Sequence, residues 1–250
     1  PDLRFGMELF TLDAKESAFV VLQRAYEAGG IARGIVVKGG AEASRKVIDK
    51  NYTEFVKRYK LSGLLWGKVK DEGQGITFSG PLSKVEPEIL NTIPNVEAGD
   101  LILVGAGPAN HVNTAIGRLR AHVAKDRGII PEGYAFCWVT DFPAFEWDED
   151  NERYVSVHHP FTKPIDDHIE WLGTDKMGDI LSDAYDIVCN GIELSSGAIR
   201  NHLPNVMIKA FSIAGYSKEE VEERFSGMLN AFRYGAPPHG GFAPGIDRIV

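Results

Sequence analysis

Cysteine is scarce, with only Cys137 and Cys189 in 250 residues, and both sit inside apolar strand-like patterns. No Cys-x-x-Cys pair or His-Glu-x-x-His segment accompanies them, which excludes a disulfide framework and the usual zinc signatures and predicts buried free thiols. No apolar run approaches the ~20 residues that a membrane-crossing helix needs, and the first residues carry no signal-peptide pattern. Positive charge is also in short supply, 27 Lys and Arg against 35 Asp and Glu for a formal net charge of −8. A generic nucleic-acid coat, basic overall, is therefore excluded, whereas a local basic stripe is not. What remains is 44% hydrophobic content in 250 residues, enough for one or two cores,. Together these features predict a cytoplasmic protein with no membrane association.

The most informative segment runs from Tyr185 to Arg200. Asn190-Gly191 is the strongest short-range hairpin signal, because both central residues of a type I′ turn need positive φ. A two-residue turn there pairs Cys189 with Ile192, Val188 with Glu193, Ile187 with Leu194 and Asp186 with Ser195. Alternation then gives an apolar side of Ile187, Cys189, Ile192 and Leu194, expected to be a core face, and an opposite side of Asp186, Val188, Glu193 and Ser195. The two carboxylates lie diagonally, close enough to share a divalent cation; a solvated sheet face has the same pattern. Simple alternation puts Arg200 on the apolar side. A bulge at Gly197 turns it onto the acidic side, where a guanidinium can grip a carboxylate with two parallel bonds.

A second segment, Gly240 to Arg248, is a glycine-rich strand followed by Pro244-Gly245 and a helix start at Ile246-Asp247-Arg248. A cation in a first helical turn opposes the helix dipole and so suits a phosphate partner, or else caps a neighbouring acid. His158, His159, His202 and His239 also cluster in this half, but adjacent histidines project poorly toward one tetrahedral ion. The aromatic-rich stretches Phe136-Cys-Trp-Val139 and Phe142 to Trp147 are expected to be core strand and turn.

The first half has its own pattern. Ser17 to Ala28 is an amphipathic helix ended by Gly29-Gly30, Ile31 to Val37 a strand, Ser44 to Tyr59 a helix, Leu64 to Val69 a strand, Leu101 to Val104 a strand and Asn110 to Lys125 a helix. The pacing is irregular for a parallel doubly wound sheet. Gly105 and Gly107 opening a helix imitate a dinucleotide fingerprint, but the third glycine position is Asn110 and no acid-ended strand follows. Lys38-Gly39-Gly40 is read as an ordinary turn.

With these residues assembled, the chain resembles the bacterial aspartyl-tRNA synthetases, a branch of the class II aminoacyl-tRNA synthetases, over nearly its whole length. Gly241 to Arg248 resembles class II motif 3, and Tyr185 to Arg200 the strand pair of the aspartate subgroup. Trp138-Val-Thr-Asp-Phe-Pro143 and Val157-His-His-Pro-Phe-Thr162 resemble the family's strand and histidine loop. The resemblance implies an α+β fold, a partial class II antiparallel sheet (residues 1–6 and 126–250) with an inserted α/β GAD domain (7–125). It implies that Arg248 binds the ATP γ-phosphate, with Gly245, Ile246 and Asp247 around the nucleotide. Glu193 binds ATP and its magnesium with Asp186 as a further metal-side acid, and Arg200 reads the aspartate side chain. His158, with His159 beside it, closes over the amino acid.

The implied partners are L-aspartate, ATP, magnesium and tRNA, either the aspartate tRNA alone or the asparagine tRNA as well, in a parent enzyme that is a homodimer. Ser195-Ser196-Gly197-Ala198 departs from the glycine run of many bacterial members. No stretch before residue 130 resembles motif 1 or motif 2, the sequence begins without methionine, and it stops about one turn into the helix carrying Arg248. It is therefore expected to be a fragment, inactive by itself. Two readings compete: a synthetase-like binding module without the chemistry, and a dinucleotide enzyme centred on Gly105.

Overall fold

Leu101 to Val104 is a run of four apolar residues with no exposure at all, Leu101 and Leu103 facing one core and Ile102 and Val104 another. A strand buried on both faces has to lie inside a sheet. A computed structural model of the chain, describing every residue except Glu72 and Gln74, places it there. Five strands, β1 (Leu9–Thr11), β2 (Ile31–Val37), β3 (Leu65–Asp71), β4 (Ile76–Ser79) and β5 (Leu101–Gly107), pair in the order β1-β2-β5-β3-β4. All the pairings are antiparallel.

Helix α1 (Val20–Glu27) contributes Leu22 to one side of this sheet. On the other side lies a helical run, 45–57, here α2, in which a π-helical Ile48–Thr53 joins α-helical Arg45–Val47 and Glu54–Lys57. Beside it lies α3 (Ala109–Asp126), and Ile48, Tyr52, Val56, Val112, Ile116 and Leu119 close the core between both helices and the strands. These elements belong to one compact unit, Phe5–Glu132, and residues 1–4 and 133–250 form a second. The antiparallel β5 removes the dinucleotide reading. Gly105 is a packing glycine, since a Cβ there would meet Leu61 Cδ2 at 2.6 Å and Ile116 Cδ1 at 3.0 Å.

In the second unit a four-stranded antiparallel sheet runs in the order β13-β12-β11-β6, with β6 Phe136–Val139, β11 Ala184–Cys189, β12 Ile192–Ile199 and β13 Gly240–Pro244. Two small pairs flank it, β7 (Phe142–Pro143) with β10 (Leu181–Ser182) and β8 (Phe145–Asp148) with β9 (Arg153–Ser156). Helices α4 (Pro204–Ile213), α5 (Lys218–Arg224) and α6 (Ser226–Arg233) pack around Met207, Phe211, Val221 and Leu229. A short α7 (Ile246–Ile249) follows β13.

The hairpin turn is as expected, with φ of 52° at Asn190 and 82° at Gly191. Asn190 has a second role there: its side chain accepts from Ala135 N and donates to Gly133 O, each at 3.0 Å, tying the turn to the start of β6. The register beyond the turn differs from the expected one. Cys189 faces Ile192 and Val188 faces Glu193, but Ile187 then faces Ser195 and Asp186 faces Ser196. Leu194, not Gly197, is the extra residue of the bulge. Gly197 has a packing reason instead, since a Cβ there would meet Tyr185 Cε2 at 2.4 Å and Gly241 O at 2.5 Å.

Three burial expectations are also corrected. The side with Ile187, Cys189, Ile192 and Leu194 is not a closed core, because Ile192 is 54% exposed, whereas Ala184, Val188 and Ala198 on the other side are buried. Phe136 and Trp138 are about 60% exposed rather than core residues, at 59% and 61%. Cys137 is half-buried and only Cys189 buried, both as free thiols. Period-two alternation separates the two sides of a strand but does not say which side receives a neighbour.

Candidate functional site

The one-residue bulge decides where the acids and Arg200 go. Counting two residues at a time from the pairs Val188–Glu193, Asp186–Ser196 and Ala184–Ala198, the side chains of Asp186, Glu193, Ser196, Ala198 and Arg200 share one face,. Asp186 and Glu193 stay diagonal neighbours, as expected, although through a different register. Asp186 Oδ1 is buried and has no hydrogen-bond partner. A buried carboxylate oxygen without a donor carries a desolvation penalty that a cation or a proton donor would relieve.

Arg200 follows β12 and is held by its backbone: its N–H donates to His239 O at 2.8 Å and it forms a bridge with Thr162. The side chain lies in a cleft of about 530 Å3 lined by His158, His159, Thr162, Ser196, Ala198 and the β13 glycines Gly240 and Gly241, among others. Arg200 Nη1 donates to His159 Nε2 at 2.7 Å, and His159 Nδ1 lies 3.2 Å from Thr162 Oγ1. Burial, and after it the Arg200 charge, holds the His159 imidazole below the usual histidine range. Among the described residues Arg200 has no carboxylate partner. A half-buried guanidinium with free donors in a cleft is a receptor for a carboxylate or phosphate.

The histidine loop is clamped by a residue that the sequence did not single out. Asn201, 3% exposed, donates through its side-chain nitrogen to Pro160 O and Thr162 O, both at 3.3 Å, and its own N–H donates to Phe161 O at 2.8 Å. An amide directly after an arginine at a strand end is the only signal for it. Lys163 is a second such residue, buried and paired with Asp166 at 2.7 Å and Asp183 at 3.1 Å. Burial pushes its ammonium down, yet the two carboxylates outweigh that and raise it above the ordinary lysine range. It anchors the start of β11 rather than facing the cleft.

Arg248 stands apart from Arg200. Its Nη1 donates to Glu193 O at 2.8 Å and to Glu193 Oε1 at 3.1 Å. Of the two partners expected for that arginine, a phosphate or a neighbouring acid, the one present is the acid, Glu193. The turn that presents it is fixed from β12, with Gly245 N donating to Leu194 O at 2.8 Å and Arg248 N to Gly245 O at 2.9 Å. Ile246 is exposed on the same turn, beside Asp247. Tyr185 locks the neighbouring strand, its ring over Gly197 and its hydroxyl donating to Gly241 O at 3.1 Å. So Arg200, His158 and His159 come together in one cleft, Glu193 and Arg248 form a pair nearby on the same sheet, and Asp186 lies between them by register. His202 and His239, with ring centroids 6.4 Å apart, join no cluster of three metal-ligating residues among those described.

A family model described as tRNA synthetases class II (D, K and N) matches residues 1–250. An aspartate–tRNA ligase from Macrococcus caseolyticus is 45% identical over 258 residues, covering 100% of this chain and 43% of that protein. One from Clostridium beijerinckii is 43% identical over 255 residues, covering 100% of this chain and 42% of that protein. A protein from Halothermothrix orenii named aspartate–tRNA(Asp/Asn) ligase is 43% identical over 253 residues, again covering 100% of this chain and 42% of its own length. The chain spans less than half the length of the curated relatives it matches.

Proposed function

Since the chain belongs to the class II tRNA synthetases of the D, K and N group, we propose that it is the motif 3 side of an aspartate–tRNA ligase, carrying the amino-acid pocket and part of the ATP site. The observation that carries this reading is Arg200, a cation with no acidic partner among the described residues, lining the same cleft as His158 and His159. The aspartate side chain supplies the missing carboxylate. A bidentate Arg–carboxylate contact discriminates against asparagine, whose amide would present an NH2 to donors and forfeit a charge-assisted pair.

The reaction has two steps. The aspartate α-carboxylate, already ionised at neutral pH, attacks the α-phosphorus of ATP in line, expelling pyrophosphate, and the terminal adenosine hydroxyl of tRNA then takes the aspartyl group from the adenylate. No side-chain base is needed for the first step, so catalysis rests on orientation and on neutralising phosphate charge. Arg200 and the histidine loop hold aspartate. Arg248, braced by the Glu193 carbonyl and carboxylate, keeps its remaining donors for the γ-phosphate, with Gly245, Ile246 and Asp247 forming the turn around the nucleotide.

Magnesium fits the acids present. The partnerless Asp186 Oδ1 and the second oxygen of Glu193 offer two carboxylates on one face. One or two carboxylates with substrate phosphates and water are the usual magnesium environment, which needs no third protein ligand. When bound, the ion would supply charge neutralisation at the triphosphate.

Residues 7–125, within the unit Phe5–Glu132, are read as the GAD insertion, and the complete enzyme as a cytoplasmic homodimer acting on tRNA. No helix among the described residues is long and apolar enough to cross a membrane. Aspartate-dependent ATP–pyrophosphate exchange by the complete gene product, absent from these 250 residues alone, is the expected result. No exchange by the complete protein would overturn the ligase reading in favour of a synthetase-like module with another role.

A further inference from the structure

The charge of this acidic chain is unevenly distributed. Residues 45–60 and 109–127 hold ten Lys or Arg and only three Asp or Glu, in a protein of net charge −8. All three acids are engaged locally: Asp49 with Arg45 at 3.4 Å, Glu54 with Lys57 at 2.7 Å, and Asp126 accepting from the Tyr52 hydroxyl at 2.9 Å. Lys46, Lys50, Lys60, Arg118 and Lys125 are exposed and form no ion pair within 4 Å among the described residues, with Lys50 acting on Glu54 only at longer range.

The fold gathers these cations on one surface. Helices α2 and α3 lie side by side on the same side of the five-stranded sheet, both feeding the core that contains Ile48, Tyr52, Val56, Ile116 and Leu119. Their outer sides therefore form one continuous layer facing solvent. Where the helices touch, His122 of α3 stacks on Phe55 of α2 with centroids 4.1 Å apart and an interplanar angle of 7°, Tyr59 lies 5.4 Å from Phe55, and the Arg58 guanidinium sits 5.9 Å from the Phe55 ring. Phe55, Tyr59 and His122 are each half-buried, so the aromatic strip breaks the surface between the cations.

We propose that this two-helix face of the Phe5–Glu132 unit is an RNA-binding surface that holds a phosphate backbone. Unpaired cations on rigid helices, on a protein otherwise repelled by polyanions, supply the favourable electrostatics, and Lys46 to Lys57 spans about 16 Å of helix, long enough to follow several phosphates. Half-exposed rings between the cations suit a ribose or an unstacked base better than an acidic protein surface would. The choice of RNA over DNA rests on the proposed function, in which the complete enzyme acts on tRNA; the surface itself lies outside the aspartate and ATP site.

The test uses the 250-residue chain and a fluorescein-labelled RNA hairpin with a duplex stem of mixed sequence, read by anisotropy at several KCl concentrations. The expected result is binding that weakens linearly in log affinity against log salt, and the quadruple variant Lys46→Gln, Lys50→Gln, Arg118→Gln, Lys125→Gln loses about tenfold or more in affinity, with a slope shallower by about one for each phosphate that is no longer neutralised. All four positions are exposed, so an unchanged circular dichroism melt is expected, and a control variant Lys68→Gln, Lys70→Gln, Lys84→Gln elsewhere in the unit keeps full affinity. Arg200→Leu binds the hairpin normally, which separates this surface from the aspartate site. Equal affinity and slope for the quadruple variant, or no binding by the parent chain at 50 mM salt, overturns the proposal; capture by poly-glutamate with no RNA binding would assign the face to an acidic protein instead.

Discussion

The guanidinium of Arg200 donates to Nε2 of His159 at 2.7 Å, while Nδ1 of the same ring lies 3.2 Å from Thr162 Oγ1. A guanidinium only donates, and Arg200 Nη1 lies nearer Nε2 than Nδ1, which is 3.3 Å away, so Nε2 is assigned as the acceptor and the imidazole proton to Nδ1, beside the threonine,. His159 is thus a neutral tether that orients Arg200 while leaving the other guanidinium donors open to the cleft. The clamp by Asn201 on Pro160 O and Thr162 O, each at 3.3 Å, fixes the loop that carries the ring.

The tautomer has a pH signature. Burial, then the Arg200 charge, depresses the His159 pKa below the ordinary 6.5. As pH falls through 6.5 the unfolded chain takes up this proton before the folded one does, so the stability this group contributes is full above that pH and is lost progressively below it. Imidazole proton NMR should find a His159 midpoint under 6.5, and Arg200→Leu should raise it only part of the way, because burial remains. A midpoint at or above 6.5 in the unaltered chain would mean that neither the burial of His159 nor the Arg200 charge beside it holds in solution.

Arg200 itself should separate amino-acid recognition from nucleotide binding. In the complete enzyme, Arg200→Leu should cost about 2–5 kcal/mol in aspartate activation, the range for truncating one partner of a buried, hydrogen-bonded charge pair. ATP affinity should stay within about twofold, since Arg248 and Glu193 are tied to each other rather than to Arg200,. Arg200→Lys should recover little, because a point charge cannot make the two parallel bonds. Equal loss of aspartate and ATP binding would place Arg200 in a general structural role.

How far the site was legible depends on the kind of signal. Asn190-Gly191 fixed the turn because few residues tolerate the positive φ values of 52° and 82° found there. The same logic misplaced the bulge, since a glycine in a strand signals either a bulge or a close approach, and Gly197 serves the second with the Tyr185 ring. Arg200 nevertheless reached the acidic side, because one extra residue anywhere between the turn and Arg200 has the same effect on alternation. Asn201 and Lys163 were invisible because their partners are backbone carbonyls and acids brought close only by the fold. The exposure of Phe136 and Trp138 was equally out of reach, as composition gives aromatics a core prior without locating the surface.

Tyr52 offers an independent check on the first unit. Its hydroxyl donates to Asp126 Oδ2 at 2.9 Å from a side chain only 1% exposed. Burial first, and then the Asp126 carboxylate, pushes the phenol up to about 12 from 10. The raised value means that its contribution to stability is intact below pH 10 and is lost as pH rises toward 12,. An alkaline ultraviolet titration should show one phenol still protonated near pH 11, and Tyr52→Phe should remove that late component. A late component of unchanged amplitude in Tyr52→Phe would refute it.

Gly197 sets the last prediction. Replacing a strand glycine by alanine ordinarily stabilises, by about 0.4–1 kcal/mol, when the backbone is compatible and space is free. At Gly197 the added carbon would lie 2.4 Å from Tyr185 Cε2, 2.5 Å from Gly241 O and 2.9 Å from Phe242 Cβ, so either the Tyr185 ring or strand β13 has to move. Overpacking of this kind costs about 1–3 kcal/mol, which outweighs the entropic gain. Because Tyr185 holds Gly241 O and β13 leads into Arg248, the shift should also weaken ATP binding in the complete enzyme. Gly227→Ala in α6, where the new methyl meets nothing within 4 Å, is the control and should stabilise. Urea unfolding followed by tryptophan fluorescence, to which Trp138 contributes from a ring 6.0 Å from Tyr185, reads the difference; a midpoint for Gly197→Ala at or above that of the parent chain would mean that Tyr185 does not lie over the glycine.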